Sequence, residues 1–113
     1  MVSKPVSPTP YNFPLQGQVD AAGDLVIRFG PPHNQTWEVR QITIEMPTAP
    51  AGATCEIRYM ASLIAPSPSA KRASAGGDPP IFLQGGETMS VEWAGCTVGD
   101  FGRVLVVYNK GVY

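Results

Sequence analysis

The run Trp37-Glu38-Val39-Arg40-Gln41-Ile42-Thr43-Ile44-Glu45-Met46 decides the fold. Trp37 and Val39 share one face with Glu38 and Arg40 opposite, and further along Ile42, Ile44 and Met46 are apolar against Thr43 and Glu45. A repeat of two is the mark of a strand with one buried face, and the β-branched content suits a strand better than a helix. The apolar phase flips between Val39 and Ile42. One extra residue near Arg40-Gln41, a β-bulge, keeps both apolar sets pointing inward; a strand passing from one sheet to another does so equally well.

The same repeat recurs outward from this run. Cys55, Ile57, Tyr59 and Ala61 alternate with Thr54, Glu56 and Arg58, and Met89, Val91 and Trp93 alternate with Ser90 and Glu92. Leu25, Ile27 and Phe29 make a shorter strand that ends at Gly30-Pro31-Pro32, and Leu63 and Ile64 start a return strand. Ile81-Phe82-Leu83 reads as a short buried run before a Gly85-Gly86-Glu87 turn. Residues 103–108 close the chain with Leu105, Val106 and Val107, apolar on both faces, as expected of a central strand. The reading is all-β: an antiparallel β-sandwich, jelly-roll-like, of seven or eight strands.

Composition agrees. The chain has 113 residues, 12 Gly, 12 Pro and a charged fraction of 15%. That length suits one domain, and many turns with few charges oppose a helical bundle. Residues 1–14 carry Pro5, Pro8, Pro10 and Pro14. Proline lacks a backbone donor and favours extended conformations, so this segment is expected to be an arm, with residues 15–113 the sandwich domain. Residues 65–80, rich in Ala, Ser, Pro and Gly, show no repeat and are expected to form a long loop.

Chemistry-bearing residues are sparse. Eight Lys/Arg against nine Asp/Glu give a net charge of -1, with no basic stripe for nucleic acid. No apolar run is long enough for a membrane span, and the start of the chain lacks the apolar core of a secretory signal. The single histidine, His33, sits in a turn sequence, and no His/Cys set has a metal-site spacing, so no cofactor or metal is expected. Glu38, Glu45, Glu56 and Glu92 fall on polar strand faces, where they are expected to be solvated or in cross-strand ion pairs. Asp20 and Asp24 belong to a tight turn, and the Gly pairs fit no phosphate-binding fingerprint. Cys55 and Cys96 read as buried thiols, and the sequence leaves open whether they meet. Trp37 and Trp93 lie on apolar faces and read as core. An enzyme is not expected.

The stretches Ala53-Thr54-Cys55-Glu56-Ile57-Arg58-Tyr59 and Pro80-Ile81-Phe82-Leu83-Gln84-Gly85-Gly86-Glu87-Thr88-Met89-Ser90-Val91-Glu92-Trp93 resemble small virion proteins of tailed bacteriophages, especially actinobacterial ones. In these, leucine, glycine and an acid precede an alternating strand ending in Trp; residues 17–109 fit the pattern. The resemblance implies a structural part of a phage particle, a capsid decoration or tail-associated accessory protein, made in the host cytoplasm and located in the virion. It carries over Gly86 and Trp93 as structural positions and no catalytic residue.

The expected partners are other virion proteins and further copies of the chain, in a homo-oligomer. Contacts are expected through Pro5, Pro8, Pro10, Tyr11, Phe13 and Pro14 of the arm, with His33, Lys71, Arg72 and Tyr113 as further loop contacts. The competing reading is a carbohydrate-binding module using the loops at 30–36, 64–80 and 94–102.

Overall fold

In the computed structural model, residues 10–59, 62–67 and 70–112 are described, with backbone alone at 62–67, 75–80 and 112. They form eight strands: β1 (Tyr11–Gln18), β2 (Leu25–Phe29), β3 (Gln35–Glu45), β4 (Thr54–Tyr59), β5 (Ser62–Ser67), β6 (Arg72–Leu83), β7 (Met89–Ala94) and β8 (Phe101–Val112). One sheet has the order β1-β8-β3-β6 and the other β2-β7-β4-β5, and every pairing is antiparallel. Strand 1 pairs with 8, 2 with 7, 3 with 6 and 4 with 5. That is the strand order of a jelly roll, a two-stranded ribbon rolled into a sandwich.

The alternation seen in sequence is what fills the space between the sheets. From the first sheet come Trp37, Val39, Ile42, Ile44, Val104 and Val106; from the second come Leu25, Ile27, Phe29, Cys55, Ile57, Met89, Val91 and Trp93, all buried. The phase flip in β3 is a bulge. Val39 pairs with Tyr108 and Gln41 with Val107, so Arg40 is the extra residue on that side. On the other side β6 is displaced further: Val39 faces Ile81 while Gln41 faces Gly76. The run of apolar residues in β8 marks a central strand, hydrogen-bonded to β1 on one side and β3 on the other.

Two expectations are corrected. Tyr11, Phe13 and Pro14 belong to β1 and not to an arm; the strand begins immediately after Pro10. Within 65–80, residues 65–67 complete β5, and β6 begins at Arg72 and runs on through the Ile81-Phe82-Leu83 run. The reason is common to both. Strands β1, β5 and β6 are sheet edges, and they carry Pro14, Pro66, Pro79 and Pro80. An edge strand has one side with no ladder to complete, so proline's missing N–H is tolerated there. Pro5 and Pro8 lie outside the described residues.

Candidate interaction surface

Strand β8 sends alternate side chains to opposite faces. Gly102, Val104 and Val106 are buried between the sheets, while Phe101, Arg103 and Leu105 point outward. Phe101 is 51% exposed and Leu105 39%, so the central strand of this sheet presents apolar side chains to solvent. Strand register then builds rows across the outer face. Gln16, Arg103, Glu45 and Arg72 form one row, and Pro14, Leu105, Thr43 and Ser74 the next. Between them runs a groove of about 580 Å³, lined by residues of both rows together with Leu15 and Val104.

The charges of this groove are arranged differently from those around Arg58 and Arg40. On the opposite sheet Arg58 pairs with Glu56 and with Glu92, and beside the bulge Arg40 pairs with Glu38. Arg58–Glu92 is a cross-strand pair of the kind expected from the sequence; Arg58–Glu56 and Arg40–Glu38 join residues two apart on one strand instead. Glu45 faces Arg72 on one side and Arg103 on the other, yet among the described residues it closes an ion pair with neither. Both arginines are exposed.

The structure separates the other contact residues expected from the sequence. Tyr11 and Phe13 lie on the core-facing side of β1, opposite Tyr108 and Val106. Tyr11 stacks on Tyr108 at 5.7 Å, Tyr108 stacks on Trp37 at 4.0 Å, and Phe13 meets Trp37 edge-on at 5.8 Å. The Lys110 ammonium lies 4.6 Å from the centre of the Tyr11 ring. These rings hold the edge strand to the sheet, and Pro14, on the opposite side, lines the groove. Pro10 is exposed, and Tyr113 lies outside the described residues. Lys71 is exposed, and its carbonyl accepts the Met46 N–H at 2.8 Å, seating Arg72 at the start of β6.

His33 sits in an exposed turn and packs against the Gly85-Gly86 turn. A Cβ on Gly85 would run into the His33 carbonyl, and Gly86, at φ +85°, lies beneath the imidazole. The Gly86 N–H donates to the Pro31 carbonyl at 3.2 Å, tying the two turns together. Beside them the Tyr59 hydroxyl donates to the Glu87 carboxylate at 2.8 Å, a bond that raises the Tyr59 pKa. The Asp20 carboxylate accepts the backbone N–H groups of Ala22 and Asp24, so it serves its own turn.

Cys55 and Cys96 are buried free thiols. Burial, with the charge of Cys96 adding to it, pushes the Cys55 pKa up to about 12, and burial raises Cys96 as well. A thiol held protonated in this way is a poor nucleophile. Among the described residues no group of three or more His, Cys, Asp or Glu side chains is placed to hold a metal ion.

The Arg103–Glu45–Arg72 row is the feature that sequence reading missed. Glu45 was legible as a polar-face residue, but Arg72 fell in a stretch without a repeat, and cross-strand register is not a local property.

No protein-family model and no curated protein matches this sequence. Solved structures share the fold. A chain of the cyanophage Pam1 capsid asymmetric unit superposes with a TM-score of 0.54 at 17% identity, covering 95% of this chain and 86% of that one. The crystal structure of FLHE superposes with a TM-score of 0.52 at 11% identity, covering 88% of this chain and 96% of that one. At these identities what is shared is the sandwich.

Proposed function

We propose that this protein is a non-enzymatic structural component of a tailed-phage virion. In this reading it is a capsid decoration or other head or tail accessory protein, attached through its Pro-rich N-terminal segment. It is made in the host cytoplasm and assembles with other virion proteins and with further copies of itself. The observation that carries the reading is the outward side of β8. A central strand with Phe101 and Leu105 exposed has the pattern of a sheet covered on both faces, and a single chain covers only one. The second covering body is then a partner in an assembly.

Two further observations point to a phage particle as that assembly. The fold is shared with a capsid chain of a cyanophage over most of both chains. The stretch Pro80–Trp93, which passes from β6 in one sheet to β7 in the other, resembles the matching stretch of tailed-phage accessory proteins, actinobacterial ones above all. Fold alone does not assign function, so the particle is the test. Mass spectrometry of gradient-purified phage particles is expected to find this chain at a fixed ratio to the major capsid or tail protein. A chain abundant in the infected-cell lysate and missing from purified particles overturns the proposal.

A further inference from the structure

We infer that the groove over β8 is a docking cleft for an extended acidic segment of a partner protein: one carboxylate enters between Arg103 and Arg72, and an apolar side chain two residues along rests on Leu105. The inference rests on the reading of this sheet face as an interface and adds the chemistry of what binds there.

Three observations carry it. Residues directly opposite on neighbouring strands have Cβ atoms about 5 Å apart, close enough for opposite charges to meet. Arg58 does close on Glu92, although its own register partner is Ser90, whereas Arg72 and Arg103 stand directly opposite Glu45 and leave it open. The row therefore offers two guanidiniums and one carboxylate, an excess of one positive charge beside a groove of about 580 Å³. Guanidinium groups bind a carboxylate in a planar, two-pronged geometry, so an incoming acid has a defined seat.

Spacing selects the shape of the partner. Arg103 and Leu105 are two residues apart on one strand, roughly 6.7 Å, which is also the distance between like-facing side chains of an extended peptide. Pro14 and Leu105 supply the apolar row beside the charged one. No aromatic side chain lines the groove, so it lacks the stacking surface that a sugar ring uses. The chain's own first ten residues carry one charged side chain, Lys4, and it has the wrong sign. The occupant is thus acidic, extended and part of another protein.

The test is a selection by the full chain from a random library of linear twelve-residue peptides. Enriched peptides are expected to carry Asp or Glu with an apolar residue two positions away. A synthetic peptide from that set is expected to bind roughly tenfold more weakly to the Arg72→Gln/Arg103→Gln variant, more tightly to Glu45→Gln, and more weakly as salt rises. Four results overturn the proposal: no acidic enrichment; enrichment that ignores the two arginines; arginine-dependent binding to a sulfated polysaccharide without peptide enrichment; or arginine-dependent self-association in sedimentation, which would make a second copy the occupant. The outcomes separate from those of the virion reading. A chain that selects acidic peptides and is missing from particles keeps its cleft and loses the virion assignment. A chain found in particles whose selected peptides ignore the arginines does the reverse.

Discussion

Gly17 and Gly102 face each other across β1 and β8, and together they open the slot that Leu25 fills. A Cβ on Gly17 would lie 2.7 Å from Leu25 Cδ1; one on Gly102 would lie 2.6 Å from Leu25 Cδ2, 3.0 Å from Met46 Cε and 3.3 Å from the Trp93 ring. The pair is where the two sheets approach through missing side chains.

Gly102→Ala is therefore expected to destabilise the fold by about 1–3 kcal/mol, the usual range for overpacking. Urea unfolding should show the midpoint fall with an unchanged slope. Gly17→Ala, which meets mainly one flexible leucine tip, should cost less. Combining Gly102→Ala with Leu25→Ala should cost less than the sum of the two, because each relieves the other. A strictly additive result would contradict the shared slot.

Trp93 is 1% exposed, and its Nε1–H donates to the Ala70 carbonyl at 3.1 Å. It both fills the core and holds the approach to β6. Trp93→Ala is expected to cost about 3–5 kcal/mol. Trp93→Phe keeps most of the volume but strands the Ala70 carbonyl, for about 1–2 kcal/mol. Calorimetric melting of both variants checks this, and an Ala variant within about 1 kcal/mol of the parent would contradict burial of the ring.

Alkaline pH should weaken the fold. The folded Cys55 thiol keeps its proton to about pH 12, whereas in the unfolded chain it ionises near its ordinary value of 9.0. Between those values the native state binds the extra proton, so stability is full below pH 9 and falls as pH rises, by up to about 1.4 kcal/mol per pH unit. Tyr59, raised chiefly by the hydrogen bond it donates to Glu87, and Tyr108, raised chiefly by burial, act in the same direction above pH 10. Denaturant titrations from pH 8 to 11 should show the decline, and Cys55→Ala should flatten it. The same burial should protect Cys55 from alkylation at pH 8 until the chain unfolds.

Two N-terminal truncations should separate arm from edge strand. Removing residues 1–9 leaves every β1–β8 pair in place, so the melting temperature should hold within a few degrees while association with particles is lost. Removing residues 1–14 also deletes Tyr11 and Phe13, with their ring contacts to Tyr108 and Trp37, each worth about 0.5–1.5 kcal/mol. That truncation should melt distinctly lower. Equal melting temperatures would mean that the first half of β1 contributes nothing to the sheet.

The strands that alternate cleanly, β2, β3, β4 and β7, were legible because each buries one face against the opposite sheet, so burial is written at every second residue. The bulge in β3 was legible for the same reason, as a slip in phase between Val39 and Ile42. Three of the four edge strands, β1, β5 and β6, were legible only in part or not at all. Pro14 made the start of β1 look like arm, and Pro66 with the Gly76-to-Pro80 stretch made the end of β5 and most of β6 look like loop, because an edge relaxes both the need for a backbone donor and the need for a repeat.

The candidate site divides along the same line. Glu38, Glu56 and Glu92 were readable as polar-face residues; Glu92 meets Arg58 across strands as expected, whereas Glu38 and Glu56 pair with arginines of their own strands. The meeting of Arg72, Glu45 and Arg103 was not readable, since the three residues are separated by 27 or more positions and meet only through the pairing of β3 with β6 and β8.

What the amino-acid order determined by itself is which side of β2, β3, β4 and β7 is apolar, where the phase slips, and that two layers of extended chain must close on each other. Those are properties of neighbours two residues apart, and the cost of exposing apolar surface enforces them wherever the strand is placed. Only the tertiary structure decided which strands lie side by side, which are edges, and that Arg72 and Arg103 flank one carboxylate. Register is a relation between distant segments, set by the packing of the whole core around slots such as the one between Gly17 and Gly102, and no local pattern encodes it.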